Sequence, residues 1–220
     1  MDARLLVDGL IMYLGLVVLL TLHEFGHAWV AWRCGDDTAR LQGRVSINPL
    51  VHIDPVGTVI IPLLMIFLSA NGSSLGRFLV GWAKPVPVNP NNLKRPKVDD
   101  ILVTLAGPGM NLLLAIILIG FARVALLAHL NSSAIECWRM ANLSLVLCFF
   151  NLLPIPPLDG SQIVRVLSGM TYEAYFQIAR YGFIILIVVL QIPVVRWVLA
   201  MVTMKSQLLI ASCFGFQVDF

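Results

Sequence analysis

The sequence predicts an all-α polytopic membrane protein, and three observations predict it. Of the 220 residues, 59% are hydrophobic and only 12% are charged, against roughly 25% charged in an average soluble domain. The apolar residues gather into five or six segments, the longest exceeding the ~20 residues that a helix needs to cross a bilayer. The longest polar stretch, from about Asn71 to Asp100, leaves no room for a soluble domain of useful size. One transmembrane domain over residues 1–220 is therefore expected.

The first segment, Leu5 to Trp32, is too long, and too interrupted by histidine and glutamate, for a cleaved leader; it reads as a retained span. The second, Val56 to Ala70, falls short of a spanning helix, so it either crosses as a short span or re-enters. Between it and the third lies Gly81-Trp82-Ala83-Lys84-Pro85-Val86-Pro87-Val88-Asn89-Pro90. Alternating prolines forbid a continuous helix and favour an extended edge, because each proline lacks a donor. A short re-entrant or extended membrane-associated stretch is expected around 77–90. The third segment runs from Ile101 to about Ala128. The fourth runs from Met140 to Leu153 and ends in Pro154-Ile155-Pro156-Pro157-Leu158-Asp159-Gly160. A last apolar region, Tyr175 to Phe216, is divided by Pro193 and holds one span or two.

The net charge of +3 is small. It suits a positive-inside bias, not nucleic-acid binding. Cys34, Cys137, Cys148 and Cys213 form no CxxC pair and read as reduced packing residues. With only four histidines, His23, His27, His52 and His129, the chain cannot supply the larger ligand set of a membrane di-iron oxygenase.

Chemistry concentrates in His23-Glu24-Phe25-Gly26-His27, inside the first apolar segment. On a helix, residues i and i+4 share a face, so both imidazoles can point at one metal ion. Glu24 stands beside them, where a carboxylate can act as a general base. Ionisable groups at membrane depth are costly and mark function. Catalytic zinc usually takes three protein ligands. Of the three glutamates, Glu24 is the base, while Glu136 and Glu173 lie near segment ends beside Arg139 and Arg180. Of the nine aspartates, seven fall in termini or charged loops, leaving Asp54 and Asp159. Asp159 is the better third ligand, because apolar residues and prolines precede it and apolar residues resume at Ile163. Its alternative role is a turn or helix cap. His52 and Asp54, in a proline-flanked loop, read as a structural polar cluster. His129, next to Asn131 near a segment end, reads as interfacial.

These motifs resemble those of the site-2 protease family, intramembrane zinc metalloproteases of the peptidase M50 type. Besides His23, Glu24 and His27, the matching residues are Asn151 through Asp159-Gly160, with Gly107-Pro108-Gly109-Met110-Asn111 as a third motif. The resemblance covers roughly Thr21 to Gly160. It implies one Zn2+ per chain held by His23, His27 and Asp159, Glu24 as base, and Asn151 holding substrate or oxyanion. Asn111 is the second choice for that amide. His52-Ile53-Asp54-Pro55 and the proline-rich stretch resemble a compact bacterial branch without PDZ or CBS modules. The catalytic core is then about 5–170, with C-terminal helices about 172–216.

Chain parity constrains the topology. At about 1.5 Å per residue, His27 and His23 lie roughly 9 and 15 Å inside the end of the first segment near Arg33, and Asn111 lies roughly 15 Å into the third. If Asp159 approaches the same side, the stretch from Arg33 to Asp100 must start and finish there. Its arginines and lysines put that side in the cytoplasm. The expected protein sits in a bacterial cytoplasmic (inner) membrane and cleaves a transmembrane protein or peptide, its site opening toward the cytoplasmic side. The other reading is a catalytically silent zinc-binding regulator or scaffold; an intact Glu24 argues against it.

Overall fold

The computed structural model describes residues 3–72 and 81–216. Among them there are helices and no β-strand. Four helices are long and apolar enough to cross a membrane: α1 (Ala3–Arg33), α4 (Pro96–Leu127), α5 (Asn131–Asn151) and α9 (Pro193–Cys213). Shorter helices are α2 (Thr38–Leu41), α3 (Ile61–Ala70), α6 (Asp159–Ser168), α7 (Tyr172–Ala179) and α8 (Gly182–Gln191). Helices α7 and α8 together pass as one span bent by 57°. The protein is an all-α polytopic membrane protein. The region from Tyr175 onward is thus a bent pair followed by a separate helix, with Pro193 opening α9. Proline suits a first turn, where its missing N–H has no partner to lose. All four cysteines are free thiols.

The chain forms two compact units, Met1–Lys94 and Arg95–Phe220. In the first, α1 buries Leu16, Leu19 and Leu20 and packs on α3. A π-helical turn, Pro55–Ile60, runs straight into α3. Together they cover 16 residues, Pro55–Ala70, about 24 Å of helix against a hydrocarbon core of about 30 Å. Asp54 starts this element by accepting the Val56 and Gly57 amides at 3.0 and 2.7 Å. The proline-rich stretch from Gly81 to Asn89 is non-helical, as its prolines require. Residues 77–80 of the expected 77–90 stretch lie outside the described residues.

Gly57 exists for close approach. A Cβ there would collide with the indole of Trp82, whose N–H of the main chain donates to the Gly57 carbonyl at 3.2 Å. Gly57→Ala is expected to destabilise the first unit by about 1–3 kcal/mol, the usual range for overpacking a tight contact. Thermal unfolding in detergent, with tryptophan emission as the probe, would measure it. An unchanged midpoint would rule the contact unimportant.

The stretch after α1 returns to where it began. Asp36, fully buried, accepts the Asn89 amide at 2.7 Å and the Asn92 side-chain amide at 2.9 Å. The Lys94 amide closes on the Cys34 carbonyl at 3.1 Å.

In the second unit α4 and α5 pack along their lengths, and α9 packs on α5. Ile119, Ala141 and Ala211 form the core of that packing, each fully buried. A polar clasp joins α5 and α9: Gln207 donates to the Trp138 carbonyl at 3.0 Å and accepts from Asn142 at 2.8 Å. Helix α4 starts five residues before its apolar run. Asp99 and Asp100 are therefore helical, not loop residues as the sequence suggested. Proline at the first helical position and the Asp99 carboxylate, which accepts the Arg95 amide at 2.8 Å, set this early start. Asp100 forms a buried ion pair with Arg165 of α6. Tyr172, the first residue of α7, donates to the same carboxylate at 3.1 Å, so Asp100 ties the start of α4 to both α6 and α7.

Candidate metal centre

Helix α1 puts His23 and His27 one turn apart on one face, and both are buried. Their Nε2 atoms lie 3.1 Å apart and the rings meet edge to face at 81°. Two ligand nitrogens at 2.0–2.1 Å from a tetrahedral ion sit about 3.3 Å from each other. The pair therefore fits one shared ion. At a spacing of one or two residues, two imidazoles on a helix would diverge.

Glu24 lies one position on and points at the proline-rich stretch. Its Oε2 accepts the Val86 amide at 3.0 Å. Along that stretch every second amide turns the same way, as in any extended chain. Trp82 donates to Gly57 at 3.2 Å, Lys84 donates to His52 at 2.8 Å, and Val86 donates to Glu24. Thr58 returns a hydroxyl to the Trp82 carbonyl at 2.7 Å. Arg44, only 5% exposed, donates through Nη2 to the Lys84 carbonyl and, at 3.2 Å, to that of Pro85.

His52 is 2% exposed and bonds the Ser46 carbonyl through Nε2 at 2.8 Å. Burial pushes its imidazolium below the ordinary value of 6.5. With Asp54 capping a helix, this pair serves the loop, in line with the structural reading of its sequence. Glu136 pairs with Arg139 at 2.9 Å and His129 is exposed in the turn after α4.

In the second unit Asp159 is the first residue of α6, and the cap position before it belongs to Leu158. Asp159 is not the helix cap that was its alternative reading. Gly160 explains the Asp-Gly dipeptide: a Cβ there would strike the Leu152 and Leu153 carbonyls. The helix start is thereby pressed against the end of α5, where Asn151 stands. Asn151 donates one amide hydrogen to Leu147 at 2.9 Å, which leaves its second for another acceptor. Asn111 is fully buried in α4, and its carbonyl accepts the Ser144 hydroxyl at 2.7 Å.

Arg44 and Asp36 escaped the sequence reading. Each looks like a charge in a polar loop, and each is bonded to residues more than 40 positions away. Burial alone would raise the Asp36 carboxyl, but hydrogen bonds from Thr38, Asn89 and Asn92 outweigh it and hold it below 3.8. The unfolded chain then takes up this proton at higher pH than the folded one. The stabilisation is complete above 3.8 and is lost as pH falls through the lower folded value. Amide exchange at 89–94 is expected to rise in acid in the native chain, and Asp36→Asn to remove that dependence. A rise that persists in Asp36→Asn would assign the acid response elsewhere.

No solved structure matches this chain. Among curated proteins it is similar to one named "Putative zinc metalloprotease YwhC" from Bacillus subtilis, at 39% identity over 84% of this chain and 81% of that one. It is also similar to proteins named "Putative zinc metalloprotease Rip2". The one from Mycolicibacterium smegmatis is 32% identical over 83% of this chain and 68% of that one. The one from Mycobacterium tuberculosis H37Rv is 32% identical over 81% and 66%. The family model for Peptidase family M50 matches residues 11–137 and 127–190. Both the HExxH motif and Asp159 fall within the match, and the chain belongs to Peptidase family M50.

Proposed function

We propose that this chain is a zinc-dependent intramembrane endopeptidase, one domain over 1–220, that hydrolyses a peptide bond in or near a transmembrane segment of another membrane protein. The observation that carries it is the buried His23/His27 pair on a helix apolar enough to span, with Glu24 held beside it by Val86. Two imidazoles and one carboxylate, from His23, His27 and Asp159, are the donor set assigned to one zinc ion, the chemistry that catalytic zinc takes. When bound, zinc supplies Lewis acidity at the scissile carbonyl.

The chain's own residues supply the rest. Glu24 takes a proton from the attacking water and hands it to the leaving amine. Oε2 receives the Val86 amide, so Oε1 is the oxygen turned to that water. Asn151, with its second amide hydrogen, is the first choice to stabilise the oxyanion, and Asn111 the second. A helical substrate hides its peptide bonds and must be held extended. The 81–89 stretch offers an edge for strand addition. Prolines at 85 and 87 carry no N–H, so this edge offers a substrate more acceptors than donors.

The closed loop from Cys34 to Lys94 supports the parity argument that this stretch starts and ends on one side. With its basic residues, that side is the cytoplasmic face of a bacterial inner membrane. The test is cleavage of a transmembrane peptide by the reconstituted protein, with product termini mapped by mass spectrometry. Cut sites inside or beside the apolar segment, abolished by a chelator and restored by zinc, are expected. Cleavage confined to distant soluble regions, or indifferent to chelation, would refute the reading.

A further inference from the structure

We infer that Arg44 is a positioning residue for Glu24, acting through the main chain of the 81–89 stretch. The inference rests on the proposed role of Glu24 as general base. Glu24 takes its hydrogen bond from Val86, so where Val86 sits decides how the carboxylate is aimed. The two residues before Val86 are those whose carbonyls Arg44 holds. Arg44 is itself fixed, since its amide donates to the Ala39 carbonyl at 2.8 Å and its side chain is buried. Among the described residues its Nε makes no hydrogen bond, so the guanidinium acts through Nη2 alone.

An arginine suits this task. Its charge persists when buried, and its rigid planar head directs N–H groups at two adjacent carbonyls. The Lys84 amide is held as well, by the His52 carbonyl at 2.8 Å. Lys84 is thereby clamped at both its donor and its acceptor, one peptide before the group that touches Glu24.

The test uses the full chain in bilayers with a transmembrane peptide substrate. Arg44→Met is expected to lower kcat by roughly 10- to 100-fold, the effect of a small misplacement of a reacting group. Zinc content should stay within about twofold, because Arg44 is not a proposed ligand, and KM should change less than kcat although the 81–89 edge shifts with the same clamp. Arg44→Lys keeps the charge on a shorter side chain without the rigid planar head, and should recover part of the loss. In a Glu24→Gln background, Arg44→Met should add no further loss. Exchange of the Val86 amide supplies a readout independent of turnover. Prolines flank Val86, so any amide exchange between Pro85 and Pro87 belongs to it alone. That exchange should quicken in Arg44→Met and be intermediate in Arg44→Lys. Unchanged exchange, or a change confined to KM or zinc content, would overturn the inference. Quickened exchange in a chain that never cleaves peptide would uphold the clamp and sink the protease reading instead.

Discussion

Glu24→Gln is expected to abolish peptide hydrolysis while leaving zinc bound. Glutamine has the same shape, and its carbonyl oxygen can still accept the Val86 amide that Glu24 Oε2 accepts at 3.0 Å. The proline-rich stretch should therefore stay in place, and His23 and His27 should keep their approach. What the variant lacks is a group able to take a proton. General-base catalysis is worth about 10²–10⁴-fold, and loss of turnover by at least that much is expected. Peptide cleavage and metal content measured on the same preparation would check it. Turnover within tenfold of the native chain would remove Glu24 from the role of base. Loss of both turnover and zinc would mean that Glu24 holds the site together.

Asp159→Ala is expected to lower zinc affinity by more than about 100-fold, since even outer partners of metal ligands are worth about 10–100-fold. The rival role for an aspartate at this place is electrostatic, a negative charge in the first turn of α6. That role is worth only about 0.3–1 kcal/mol and would leave zinc bound. Competition with a chromogenic chelator separates the two outcomes. Gly160→Ala is the companion variant. It leaves every proposed ligand in the chain, but its methyl group would meet the Leu152 and Leu153 carbonyls. Zinc affinity should fall because the start of α6 must shift. Intact affinity in Asp159→Ala would return that residue to the helix terminus.

The parts of the fold and site that could be read from sequence are those with local signatures. The HExxH pair depends on a four-residue spacing, and the helix supplies the rest. Prolines at 85, 87 and 90 excluded a helix from their stretch. The short second segment was legible by length alone. Arg44 and Asp36 were not, because their meaning lies in partners brought close by the return of the chain to Cys34. Asp99 and Asp100 were misplaced for another reason. Hydropathy marks where a helix becomes apolar, whereas Pro96 and the capping carboxylate of Asp99 mark where it starts.

The Pro85-Val86-Pro87 triplet works as a key with a single tooth. Val86 supplies its one N–H, and the residue on each side supplies none. If the stretch slid by one residue either way, Glu24 would meet a proline nitrogen and its carboxylate would lose its donor. A slip in alignment is then not a slightly worse state but an empty one at the catalytic carboxylate. The chain thereby makes its correct alignment self-checking. The penalty for misalignment falls on the residue whose orientation matters most for chemistry.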